Sequence, residues 1–408
     1  MTATRTGRRA QTRQTRAPQA RTSRSRSATK GRWWAPLLNP SVVPGRRTVE
    51  FAGLLVLTLA LTFIGLMMVL SASAVTGLDD AGSPWFYLQR QGMWAAIGLV
   101  AMMIVMRLDY RDLAKMSPVL LVGTLALLLL VLIPSVGVSA NGARRWLSFG
   151  PFTLQPSEFA KLSLTLFVAD LLARRSHLAH DNRQVLAPVM ALALGMAALV
   201  LLQPSQGTAT ILVAIAMILL FLGGVSIWSL GTVTIGLAGA FVALAVLTPY
   251  RRARLNVWGD PFIDPEGAGY QTVQSLVGVA SGGIDGVGLG EGRAKWGFLP
   301  FAHTDFIFSV VAEELGFIGG VALVTFFVML VAFGLRVAFK APDRLGMMLA
   351  AGITTAIAMQ AFINIGATIN MLPISGVTLP FVSMGGSSLV VNLVAMGVVL
   401  NVARHTEG

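Results

Sequence analysis

Cysteine is absent from the 408 residues, which excludes disulfide bridges and thiolate-held metals. Histidine is scarce: His177, His180, His303 and His405 show no catalytic-zinc spacing. His177 and His180 stand beside Arg174, Arg175 and Asp181, the composition of a solvated surface. Charge is scarce too, at 12% of residues against 55% hydrophobic, and the apolar residues come in long runs. Such a chain has far more apolar surface than one water-soluble core needs, and it reads as a polytopic membrane protein.

Acids are missing from the first 47 residues, which hold twelve Lys and Arg. The formal charge of +13 therefore belongs to this tail, since the rest of the chain is nearly balanced. Rich in Thr, Ser, Gln and Arg, the tail cannot offset the entropy of ordering, so residues 1–48 are expected to be disordered. It lacks the short apolar core and small-residue cleavage site of a secretory signal, so it is expected to be retained. A cytoplasmic tail that fixes orientation and touches anionic lipid is the simplest role, with docking to a partner protein second. Without interleaved aromatics, nucleic-acid binding is not expected.

What is abundant is membrane-length apolar sequence. A spanning helix needs about 20 apolar residues. Segments 51–70, 88–106, 118–134, 158–173, 186–202, 208–223, 226–248, 306–334, 346–370 and 387–403 meet or approach that. The sequence thus predicts an all-α polytopic membrane protein of ten transmembrane helices, with the long uncharged stretch 207–250 split at Gly223–Ser226. Lys and Arg concentrate in alternate short loops (Arg107, Arg111, Lys115; Arg174, Arg175, Arg183; Arg336, Lys340, Arg344), which places both termini in the cytoplasm. A membrane domain over 49–404 follows, with segments 71–87, 135–157, 249–305 and 371–386 outside and a short cytoplasmic tail at 405–408. The large extracytoplasmic loop, 249–305, lies between the seventh and eighth helices.

Charges within these spans single out candidate functional residues. Glu158, Lys161 and Asp170 fall in the fourth, where an unpaired charge costs about 2.5 to 3.5 kcal/mol. Glu158 and Lys161, three apart, share a helix face and can neutralise each other, as a structural or a functional pair. Asp170 can pair with Arg174, four residues on. Upstream, Arg144 and Arg145 beside Trp146 suit either a membrane anchor or phosphate recognition. The stretch "GVGLGEG" (286–292) has the wrong spacing for a nucleotide motif and reads as flexible backbone beside a site. Asp305 opens the eighth span, where it can cap the helix. A cap does not explain Glu313 two turns later; a polar cavity entering from outside would explain both.

Three stretches carry a resemblance: "NGARRWLSFGPFTLQPSEFAKL", "FLPFAHTDFIFSVVAEELGFIG" and "LPISGVTLPFVSMGGSSLV". In this order they resemble the SEDS proteins of bacterial cell-wall synthesis, the FtsW, RodA and SpoVE group, over about residues 50–404. "AHTDFIF", "MMVLSAS" and the long N-terminal tail look more like FtsW than RodA. Met384 departs from the Tyr that many members have there. The resemblance implies the ten-span SEDS fold and a peptidoglycan glycosyltransferase that polymerises lipid II at the outer face, releasing undecaprenyl diphosphate, during septal synthesis in the bacterial cytoplasmic membrane.

Carried onto this chain, the family's essential acid is Asp305, and Glu158 with Lys161 is its cavity ion pair. Asp305 would act as general base or as ligand of a divalent cation, Mg or Mn, with no nucleotide or organic cofactor. Arg144, Arg145, Lys295, His303 and Glu313 are the candidates for binding pyrophosphate or sugar. The implied partner is a class B penicillin-binding protein, an FtsI-like transpeptidase, alongside other divisome proteins. A lipid II flippase, a division scaffold and a RodA-like elongation polymerase remain alternatives. The acids and the largest loop gather on one side, which argues against the flippase.

Overall fold

The computed structural model describes residues 48–140, 143–150, 152–178, 181–247 and 249–406. The expected basic tail, apart from Thr48, lies outside the described residues, as do His180 and the last two residues of the C-terminal tail. The fold is mostly helical. Its helices are α1 (Val49–Ala81), α2 (Phe86–Val105), α3 (Tyr110–Lys115), α4 (Ser117–Leu130), α5 (Pro156–Arg174), α6 (Ala187–Leu201), α7 (Gln206–Leu222), α8 (Ile227–Leu247), α9 (Pro249–Gly259), α10 (Tyr270–Ser281), α11 (Ile307–Phe339), α12 (Arg344–Thr368) and α13 (Gly386–Ala403). Between α4 and α5 a small antiparallel sheet runs β1 (Gly137–Ala140), β2 (Ala143–Phe149), β3 (Phe152–Leu154).

The long helices fall on the apolar segments, and the chain does break at Gly223–Ser226, where Gly224 takes φ 91°. Six helices among the described residues are long and apolar enough to cross a membrane: α1, α2, α6 with the preceding turn, α11, α12 and α13. Helices α4 and α7 are apolar but shorter, and α5 carries Glu158, Lys161, Asp170 and Arg174. The sheet is a departure from the turn-rich loop expected there. Gly150 turns the chain at φ 63°, and Leu147–Phe149 pairs with Phe152–Leu154.

Helices α12 and α13 form the centre: 67% and 78% of their apolar windows are buried, against 22% for α2 at the periphery. Around them pack α1, α2, α5, α7 and α11. At one end of the bundle, polar contacts tie helix termini together. Asp343 accepts from Tyr110 (2.8 Å) and pairs with Arg111 (2.6 Å), and Lys340 pairs with Glu50 (2.8 Å); within α5, Asp170 pairs with Arg174 (2.9 Å).

Helix α11 is broken at Gly316, whose φ of 68° and ψ of −167° no helix contains. A break frees backbone groups that must find partners in an apolar setting. Here the glycine-rich segment supplies them: Val287 and Gly288 donate to the carbonyls of Glu313 and Glu314, and Phe317 and Ile318 donate to those of Gly283 and Ile284. Close approach demands small residues, since a Cβ on Gly286 would lie 2.2 Å from the Glu314 carbonyl oxygen. "GVGLGEG" is therefore an ordered partner of the helix break.

That break accounts for two of the acids. The buried Glu313 carboxylate accepts from the backbone of Arg293 (2.7 Å) and Ala294 (3.2 Å). Ser71, at the end of "MMVLSAS", donates to both oxygens of buried Glu314, at 2.6 and 2.8 Å. Both pin the loop and α1 to α11, and the expected shared cavity for Asp305 and Glu313 is corrected: Glu313 is consumed by backbone donors.

Candidate active site

At the other end of the bundle, segments far apart in sequence meet around a cleft of about 270 Å³. Arg90, Gln91 and Trp94 of α2 border it, with Trp146 and Thr153 of the sheet, Gln155, the His303–Thr304 turn, Thr378 and Met384–Ser388. Trp94 meets Phe152 edge-on at 5.4 Å.

Hydrogen bonds hold the walls together. The buried Gln91 amide donates to the Ser383 carbonyl (3.1 Å) and accepts from Gly385 N–H (3.2 Å). Ser383 donates its hydroxyl to the Thr304 carbonyl (2.5 Å), and Met384 N–H donates to the His303 carbonyl (2.9 Å). The loop before α13 is thus stitched to the turn before α11.

That turn carries Asp305. The N-cap position falls on Phe306, one residue later, and α11 starts at Ile307. The turn closes on the carbonyl of Phe301, which accepts from the backbone of Thr304, Asp305 and Phe306. Phe301 itself sits at φ 60°, a conformation costly for a bulky side chain and characteristic of functional turns. From beneath, Asn364 of α12 donates to the Asp305 carbonyl and to that of Val377, each at 2.7 Å.

The half-buried Arg145 donates through Nε to the Gln203 carbonyl (2.8 Å) and through Nη2 to that of Pro204. Its Nη1 and the Asp305 Oδ2 flank Gly376: a Cβ there would lie 3.4 Å from the first and 3.6 Å from the second. Gly376, at φ 65°, therefore lets a guanidinium and a carboxylate approach the same point of backbone.

Behind the wall lies the Glu158–Lys161 pair, at 2.9 Å with both side chains buried. Lys161 also donates to Gln360 Oε1, and Gln360 Nε2 donates to the Thr378 carbonyl (2.9 Å). Thr378 in turn donates to Ser388 (3.1 Å). The pair does not border the cleft; it reaches it through Gln360. His303 stacks on Tyr87 with centroids 5.2 Å apart, and burial pushes its pKa down from 6.5, opposed by the charge of Asp80.

Other expected residues lie elsewhere. Arg144 is exposed on β2, and Lys295, in the short turn Ala294–Trp296, does not border the cleft. His177 sits in a surface turn. Among the described residues no three of His, Asp and Glu gather into a cation site. Sequence reasoning missed Arg90, Gln91 and Trp94. The signal was there, since "QRQ" places a charge in the first turns of an apolar segment.

Comparison with known proteins agrees with this architecture. The family described as cell cycle protein, FtsW/RodA/SpoVE, matches residues 52–408. The chain belongs to the FtsW/RodA/SpoVE family. Its relatives include stage V sporulation protein E of Bacillus subtilis, 41% identical over 87% of this chain and 97% of that protein. The probable peptidoglycan glycosyltransferase FtsW of Geobacter metallireducens is 42% identical over 87% of this chain and 95% of its own length. Among solved structures, a chain of a peptidoglycan synthase complex matches with TM-score 0.73 at 32% identity, covering 86% of this chain and 97% of that one. Thermus thermophilus RodA, the rod shape determining protein, matches with TM-score 0.64 at 29% identity, covering 87% and 97%. The family is one of multi-pass membrane proteins, as the apolar helices here require.

Proposed function

We propose that this chain is a peptidoglycan glycosyltransferase of the FtsW type, polymerising lipid II into glycan strands for the septum. The observation that carries the reading is the approach of Asp305 and Arg145 to Gly376; the three do not line the cleft themselves, but Asp305 directly follows His303 and Thr304, which do. Names of relatives at about 40% identity over nearly their whole length support the activity.

In this reading Asp305 accepts the proton of the acceptor sugar's 4-hydroxyl as that oxygen attacks the anomeric carbon of the growing strand. One carboxylate and in-line attack convert the α-linked donor into a β-linkage. Arg145, near Asp305, and Arg90, on the cleft wall, offset the charge of the departing lipid diphosphate. A divalent cation would find one protein ligand here, Asp305, with substrate phosphate and water supplying the remaining oxygens, and would neutralise diphosphate charge. Glu158, Lys161 and Gln360 hold the wall in place.

Ten spans, both termini in the cytoplasm and the cleft at the outer face complete the reading, supported by the Lys/Arg bias of the loops. A transpeptidase of the class B penicillin-binding type is the partner, supported by the likeness to a peptidoglycan synthase complex. The test is polymerisation of purified lipid II in detergent by the protein with its transpeptidase. A glycan ladder is expected. Detergent removes the two sides a flippase needs, so absence of polymer there, with lipid II translocation in vesicles, would overturn the reading.

A further inference from the structure

A second cavity, of about 340 Å³, shares the Asp305 turn: Pro300 stands in its wall as His303 and Thr304 stand in the wall of the first. The two differ in chemistry. Arg90 borders the first, whereas among the described residues bordering the second, Glu266 alone is charged. Trp258 and Tyr270 contribute aromatic rings, and Gln271, Thr272 and Asn370 contribute amides and a hydroxyl.

The cavity is built into the bundle. Ser275 of α10 donates to the Thr368 carbonyl (2.8 Å), and Ser309 donates to that of Ser275 (2.7 Å). The loop before α10 closes on Asp264, which accepts from Gly269 N–H through its carbonyl (2.9 Å) and from Ala268 N–H through its carboxylate (2.8 Å). Asn370, held at φ 58°, donates to the Trp258 carbonyl (3.4 Å). Its position is six residues beyond Asn364, which holds Asp305, so the end of α12 supports both the turn and the cavity.

We propose that this cavity binds the phosphate-free part of a glycan strand, and so keeps the growing polymer beside Asp305 between additions. A diphosphate would meet the carboxylate of Glu266 with no described cation to offset it. A lipid chain would offer nothing to the Gln271 amide or to the other polar groups of the wall. A pyranose has what the walls complement: an apolar C–H face for aromatic rings and a rim of hydroxyl and acetamido groups for Gln271, Thr272 and Asn370. The role in polymer retention rests on the glycosyltransferase reading; the binding does not.

The test titrates a lipid-free oligomer of the alternating N-acetylhexosamine disaccharide into the full-length protein with its transpeptidase, by calorimetry. The wild type and Asp305→Asn are expected to bind alike. Trp258→Ala is expected to bind about tenfold more weakly, the loss of one aromatic platform, and Gln271→Ala to weaken binding without touching the core. Trp258→Phe should retain most of it. In lipid II assays Trp258→Ala should yield shorter strands. No binding by the wild type, or wild-type binding and strand length in both Trp258→Ala and Gln271→Ala, would overturn the proposal. A wild type that makes no polymer overturns the glycosyltransferase reading instead, and the titration still decides the cavity.

Discussion

Replacing Lys161 with methionine keeps the volume of the side chain and removes its charge. The ammonium lies 2.9 Å from Glu158, and each side chain is only 5% exposed, so the orphaned carboxylate cannot be rescued by water. Breaking such a buried pair from one side costs about 3–5 kcal/mol, whereas replacing both members with neutral groups of similar size is close to neutral. Lys161→Met should therefore lose about that much stability in reversible unfolding by SDS. The double variant Glu158→Gln, Lys161→Met should recover to within about 1 kcal/mol of the wild type. Its polymerisation should remain low, because Gln360 loses the donor that orients it towards Thr378. Unaltered stability in Lys161→Met would refute the reasoning. Full activity in the double variant would refute the positioning role.

Glu313→Gln should weaken the hold on the glycine-rich loop by about 1.5–3 kcal/mol per charged hydrogen bond, read as faster amide exchange at Arg293 and Ala294; unchanged exchange would contradict the assignment. Gly316→Ala should destabilise the protein, since its Cβ would lie 2.3 Å from Gly286 N at a φ that disfavours side chains; a wild-type unfolding midpoint would be contrary. Gly376→Ala should lose about 1–2 kcal/mol of stability, because its φ of 65° disfavours a side chain, and should polymerise less as the backbone under Arg145 and Asp305 shifts to relieve that strain; an unchanged unfolding midpoint would be contrary. His303 has a depressed pKa, so the unfolded chain binds more protons near pH 6, and stability should fall as pH drops below 6.5. His303→Gln should flatten that part of the unfolding profile; an identical profile would show that another group titrates there.

Much of the fold was legible because a lipid environment writes long rules. Apolar length located the long helices, paired glycines marked the break between α7 and α8, and charge spacing gave the Glu158–Lys161 and Asp170–Arg174 pairs. The sheet was not read, because its strands are only three to seven residues long and show no sustained polar–apolar alternation. Around Asp305, Gln91, Asn364 and Gly376 come from three distant segments, and no periodicity links them. Glu313 misled because helical spacing put it on the face of Asp305; the break at Gly316 and the loop behind it redirect its carboxylate to backbone donors.

The most direct test compares glycan-strand synthesis from lipid II by the wild type, Asp305→Asn and Asp305→Ala, each with its transpeptidase and at matched folding. Removing a general base costs about 10²–10⁴ in rate, so both variants should make little or no polymer while still binding their partner. Polymerisation within a few fold of the wild type by either variant would contradict a catalytic Asp305 and leave it a structural turn residue.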